Sequence, residues 1–184
     1  MAKNLIIAIK AVFVLSLLTG AVYPLIVTGF GQLLFTKEAR GSLLARGDQI
    51  IGSSLISQKF NSERYFHSRP SAVDYGTVAS GASNLSPTSQ SLKDAVKTRR
   101  ESLGPDAPAD LLTTSASGLD PHISPEAVKF QMERIIDARN IPPERTADLE
   151  KLVGTLTEEP QWGFLGRSRV NVLLLNQALD DQFP

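Results

Sequence analysis

The chain has 184 residues, with 19 Lys and Arg against 19 Asp and Glu, a formal net charge of +0 and a pI near 6.7. Balanced charge gives no long-range attraction to a polyanion, which excludes nucleic acid as an expected partner. With no cysteine, the chain has no disulfide framework, thiolate metal site or cysteine nucleophile, and its redox compartment stays open.

The charges are unevenly distributed. From Ala11 to Thr36 (AVFVLSLLTGAVYPLIVTGFGQLLFT) no side chain is charged. As a helix those roughly 26 residues span about 39 Å, more than the ~30 Å hydrocarbon core of a bilayer requires. The segment is predicted to be a transmembrane helix with its span at about residues 11–34. Lys10 can reach the headgroups by laying its methylene stem along the helix. Pro24 and the glycines Gly20, Gly29 and Gly31 weaken a helix in water but are tolerated in a span whose neighbours satisfy the freed backbone groups. A cleaved signal peptide is disfavoured because the apolar run is too long and no small-x-small site closes it before Tyr23-Pro24. Lys3, Lys10 and the amino terminus on one side nearly balance Lys37, Arg40 and Arg46 on the other, so the local charges leave the orientation open.

Residues 1–36 are thus expected to form a membrane anchor and residues 37–184 one compact extramembrane domain. That domain carries 17 basic and all 19 acidic residues. In it, Gln49 to Phe60 reads as a strand turning into an irregular piece, after a turn at Gly47-Asp48. Arg64 to Ala82, with Tyr65, Phe66 and Tyr75 but no sustained period, reads as an ordered loop. Ser86-Pro87 resembles an N-cap followed by Pro at the first helical position, predicting a helix over 87–102 that stops at Gly104-Pro105. Its Lys93, Lys97, Arg99 and Arg100 read as a solvated face interspersed with Asp94 and Glu101. Asp110 to Ser115 is a strand candidate, followed by the turn-rich loop 116–125. Ser124 caps a helix with Pro125 at its first position and a stripe of Ala127, Val128, Met132, Ile135 and Ile136 that ends before Pro142-Pro143. A helix follows from Thr146. The last element, 168–180, is read as a helix, although Val170 to Leu175 could also serve a buried strand. The expected fold class is α+β: a single N-terminal transmembrane helix followed by one compact soluble domain of helices with a small sheet.

Motifs that carry chemistry are absent or incomplete. Gly47-x4-Gly52-Ser53-Ser54 has the glycine spacing of a phosphate loop without its Lys, and reads as a turn before a strand. No Asp-Lys-Thr-Gly segment is present, so any aspartyl-phosphate chemistry belongs to a partner. No G-x-S-x-G elbow occurs. The two histidines, His67 and His122, are expected in loops and lack the spacing of metal ligands. Asn84-Leu85-Ser86 matches a glycosylation sequon, a triplet common by chance. The residues themselves therefore favour an accessory or binding role, with no catalytic residue and no metal site.

Several segments, in register from the span almost to the end of the chain, resemble one family. They are Tyr23-Pro24-Leu25, Gly52-Ser53-Ser54-Leu55-Ile56, Tyr65-Phe66-His67-Ser68-Arg69-Pro70-Ser71 and Ser80-Gly81-Ala82-Ser83-Asn84-Leu85, then Ser115 to Pro125 (SASGLDPHISP) and Arg169-Val170-Asn171-Val172-Leu173. Together they are similar to the C subunit of the Kdp-type high-affinity potassium-transporting ATPase; Ala82 replaces the second of the paired glycines usual there. The resemblance implies a single-pass subunit in the bacterial inner membrane. Its partners would be a channel-like A subunit that conducts potassium, a P-type B subunit that hydrolyses ATP, and a small F subunit, within the lipid bilayer. It further implies a catalytic chaperone that aids assembly and raises the B subunit's affinity for ATP. The candidate nucleotide contact is Gln131, with Ser117, Gly118, Leu119 and Asp120 of the preceding loop as further candidates; a solvated polar position is the alternative for Gln131. Family topology places the domain outside, across ~30 Å of hydrocarbon from ATP. The alternative is a structural and ion-access subunit whose extracytoplasmic domain caps the potassium entrance of the A subunit without touching nucleotide.

Overall fold

The computed structural model describes residues 2–184, which divide into two compact units between Leu44 and Ala45.

In the first unit, Ala2–Leu34 is one apolar helix of 33 residues, long enough to cross a membrane and with none of its most apolar stretch covered by protein. It comprises α1 (Ala2–Leu17) and α2 (Tyr23–Leu34), joined by a π-helical turn over Leu18–Val22. Pro24 explains the turn. It has no N–H to give the Gly20 carbonyl, and its ring crowds that carbonyl. The backbone widens, and the Tyr23 N–H reaches back five residues to Leu18 O. The helix begins well before the charge-free run, taking in Lys3 and Lys10. The short α3 (Thr36–Ala39) follows.

The second unit is α+β, as expected. β1 (Leu43–Arg46) and β2 (Gln49–Ser53) make a two-stranded sheet whose turn has Gly47 at φ 61°. A second sheet has the order β3 (His122–Ile123), β5 (Arg169–Asn171), β4 (Thr157–Glu158), with both pairings antiparallel. Packed with it are α6 (Pro125–Arg139), α7 (Thr146–Leu156) and α8 (Val172–Gln182). Ala127, Val128 and Ile135 of α6, Leu149 and Leu152 of α7, and Val172, Leu175 and Leu179 of α8 meet Ile123 and Val170 of the sheet in one core. Phe66 enters the same core from the long loop and is wholly buried. That loop is ordered, as its aromatic residues suggest.

Four expectations are corrected. The helix placed at 87–102 is α4 (Gln90–Leu103), and its cap is Ser89, whose Oγ accepts the Leu92 N–H at 3.2 Å. Ser86 opens a turn instead: its Oγ accepts the Thr88 N–H and its carbonyl the Ser89 N–H. The strand proposed at 110–115 is a helical turn, α5 (Ala109–Leu112), which buries Leu111 and Leu112 and only then becomes extended at Thr113. The last element divides. Arg169–Asn171 is strand, and Asn171 ends it by accepting the Leu174 N–H at 3.2 Å, which starts α8. The apolar run Val170–Leu175 thus serves a strand and a helix in succession. His122, expected in a loop, lies on β3.

Candidate functional site

Ser124 and Pro125 start α6 as the sequence predicts, with Ser124 Oγ accepting the Ala127 N–H at 3.2 Å. Two turns further on is Gln131, which is only 5% exposed. The expectation of a solvated position is therefore wrong: Gln131 stands on the inner face of the helix. Its Oε1 accepts the His67 N–H at 2.8 Å and an Arg134 Nη2 hydrogen at 2.9 Å. Its Nε2 donates to His67 O at 3.1 Å and Ala127 O at 3.2 Å. A carboxamide has two hydrogens and two lone pairs to offer, and all four are used.

A second amide does the same for the residue before. Asn176 of α8, 2% exposed, accepts the Phe66 N–H at 2.8 Å and donates to Phe66 O at 2.9 Å. Phe66 and His67 thus receive from two helices the paired hydrogen bonds that a neighbouring strand would supply. Around this clamp, Arg134 donates to the carbonyls of Glu63 and Tyr65. Arg139, whose side chain is 1% exposed, donates to Arg64 O at 2.8 Å, Phe183 O at 2.5 Å and Asp180 Oδ1 at 2.7 Å, and lies over the Tyr65 ring. Burial pushes the Asp180 carboxyl up, but hydrogen bonds from Arg139 and the Tyr65 hydroxyl hold it below the usual range. Sequence reading missed Asn176, Arg134 and Arg139. Their only local signal is polarity on helices already credited with an apolar stripe.

Burial lowers the His67 pKa, outweighing the hydrogen bond its ring makes with Ser62 O. The folded domain therefore favours neutral His67. Its contribution to stability is complete above the unfolded pKa of about 6.5 and is lost as pH falls through the lower folded value. The thermal midpoint should accordingly decline as pH falls below about 6.5, and the decline should flatten in His67→Gln. An identical slope in parent and variant would remove His67 from this account.

Gln131 lines a cleft of about 1010 Å³ between α6, the end of α4 and the 59–75 loop. The rings of Phe60, Tyr75 and Phe130 line it too. Its cations are already occupied. Lys59 pairs with Asp74 at 2.7 Å, Arg99 donates to Leu112 O at 2.8 Å, and Arg134 holds the loop carbonyls. Glu63, Glu133 and Asp137 on the same wall balance them in charge. Ser102 and Leu103 bring the C-terminal, negative end of the α4 dipole to the cleft. These residues do not fit a nucleotide triphosphate.

The candidates of the preceding loop lie elsewhere. Ser117, Leu119 and Asp120 line a different cavity, of about 490 Å³, together with Arg69 and Ser80. Their polar groups hold the loop itself. Ser117 Oγ accepts the Leu119 N–H, Ser117 O accepts from Ser80 Oγ, and Asp120 Oδ1 accepts the His122 N–H. The Asp120 carboxyl is held below its usual range by its hydrogen bond with His122, against burial, with Arg69 3.5 Å away. Gly118 has φ 71°, and a Cβ there would stand 2.7 Å from a Val73 methyl and 2.9 Å from Gly81 O, so this position requires glycine. The structure does not bring Gln131 and this loop to one cavity. No group of three or more metal-ligating side chains occurs among the described residues.

A family model described as "KdpC: K+-transporting ATPase, c chain" matches residues 5–181. The potassium-transporting ATPase KdpC subunit of Rhodopseudomonas palustris strain TIE-1 is 43% identical over 203 residues, with both chains covered completely. That of Rhodospirillum rubrum is 49% identical, covering 92% of this chain and 91% of its own. That of Gloeobacter violaceus is 50% identical, covering 88% and 87%. With nearly the whole fold and the buried Gln131 inside the matched range, the chain belongs to the KdpC family of potassium-transporting ATPase subunits.

Proposed function

We propose that the chain is a non-catalytic accessory subunit of an ATP-driven potassium uptake complex in a bacterial inner membrane. Its extracytoplasmic domain caps the potassium entrance of the channel-like A subunit and stabilises the assembly with the B and F subunits. The observation that carries this reading is the state of Gln131: all four of its hydrogen-bonding positions hold the loop and helix inside the domain, which leaves none for a nucleotide. The 33-residue apolar helix, uncovered by its own chain, supports membrane anchoring against lipid and partner helices. The domain's slight excess of acidic residues suits a surface past which a cation is drawn.

The second reading, a chaperone that raises the pump's affinity for ATP, has one observation in its favour: Gln131 lines a large cleft with aromatic walls. It requires the domain to face the cytoplasm. Because the chain has no cysteine, Asp106→Cys at an exposed loop position gives a silent background for labelling. A membrane-impermeant thiol reagent is expected to label this variant in intact cells. Protection in intact cells that disappears on lysis would overturn the extracytoplasmic reading in favour of the chaperone.

A further inference from the structure

Between β4 and β5 the chain makes a hairpin whose tip carries large apolar side chains away from the core. Trp162 is 83% exposed, Phe164 73% and Leu165 45%. The tip is nonetheless tightly built. Gln161 N–H donates to Leu165 O at 2.9 Å, Leu165 N–H returns to Gln161 O at 2.9 Å, and Gly163 N–H donates to Pro160 O at 2.9 Å. Trp162 itself has φ 54°, a left-handed conformation that is rare for a bulky residue and costs energy to hold. Below the tip, Glu158 pairs with Arg169 at 2.9 Å, and Glu159 accepts from Ser168 at 2.8 Å. Arg167, also exposed, has no ion pair among the described residues and is the one charged side chain between Pro160 and Ser168.

We propose that this tip is a lipid-docking element, in which Trp162, Phe164 and Leu165 enter the interfacial layer of the bilayer and Arg167 meets anionic headgroups. Three features favour lipid over a protein partner. First, three side chains of this size offer roughly 400–500 Å², about half of what each side of a standard protein interface buries. Second, indole and phenyl rings beside an arginine are the composition favoured at the membrane–water boundary. Third, the bilayer is within reach. Only eight residues, 35–42, separate the end of α2 from β1, a tether of at most about 28 Å. A domain of this length has a radius of gyration of only about 14 Å, so each of its faces can meet the membrane that holds the span. The inference holds for either leaflet and so does not depend on the side assigned to the domain.

Trp162 is the only tryptophan in the chain, which makes its fluorescence specific to the tip. The purified full chain would be reconstituted into phosphatidylcholine–phosphatidylglycerol vesicles, with or without bromine on the acyl chains. The emission is expected to lie to the blue of a water-exposed indole, and brominated chains should quench it roughly twofold, as insertion to the headgroup–acyl boundary brings the ring against them. Arg167→Gln should weaken the quenching in anionic vesicles and change it little in pure phosphatidylcholine. A water-like emission that brominated chains leave unquenched would overturn the proposal and leave the tip to a protein partner.

Discussion

Gln131→Ala is expected to lower the unfolding free energy of the domain by about 3 kcal/mol, because it leaves the His67 N–H and carbonyl and an arginine hydrogen without this partner, while the Ala127 carbonyl keeps its helical bond. For a domain of this size that is a fall of about 10 °C in thermal midpoint. Gln131→Glu should not rescue it. A carboxylate keeps the acceptor for His67 N–H and Arg134 but sets its second oxygen against the carbonyls of His67 and Ala127, where the amide now donates. Thermal unfolding of both variants gives the structural half of the test. The apparent ATP affinity of the fully assembled complex gives the other half, and it is expected to stay at the parental value. A Gln131→Ala chain that melts like its parent while the complex loses ATP affinity would return the residue to nucleotide binding.

The second large effect is expected at Arg139. Its guanidinium ties three segments together: the carbonyl of Arg64 in the loop, the Asp180 carboxylate on α8, and the carbonyl of Phe183 beyond α8. Replacing it with Met keeps the bulk but leaves two carbonyls unpaired and takes from Asp180 its shortest ion pair, with only the Tyr65 hydroxyl and Arg46 at 3.4 Å remaining, at about 3 kcal/mol. Arg139→Lys is expected to recover little of that. A single ammonium cannot reproduce a planar fork that serves three separated acceptors while stacking over Tyr65 at 5.0 Å. Hydrogen exchange should show the damage as earlier opening of α8 than of α7, since α8 is the helix that Arg139 fastens. Full stability in the lysine variant would show that charge alone, without the fork, holds this end of the chain.

These two residues also mark where sequence reading stops. Ser124 and Pro125 were legible because a helix start is a local event, decided within four residues. The apolar span was legible for a similar reason: length and absence of charge are properties of one segment. Ser86 misled because Ser-Pro starts turns as readily as helices, and the true cap, Ser89, lies three residues on. At 110–115 the apolar pair Leu111-Leu112 suits a buried strand or a buried helical turn equally, and packing decided for the turn. Gln131 was visible as a residue but not as a buried one. The groups that bury it belong to His67, which is 64 positions away, and no periodicity along α6 encodes a partner at that distance. Asn176 and Phe66 are separated by 110 positions and were invisible for the same reason. The Kdp resemblance supplied what spacing did not, the family, and the structure then gave Gln131 an architectural task within it.

Gln131 and Asn176 address only peptide groups, so the grip they exert on the loop is blind to what the gripped residue displays. At position 67 the imidazole can be exchanged while the main chain keeps its course. The amides themselves have no such latitude, since each must present an oxygen and an NH2 at a fixed reach. The path of an irregular loop is therefore written in two helices that lie far from it in the chain, while Phe66, sunk in the core, is fixed by its ring as well as by its peptide.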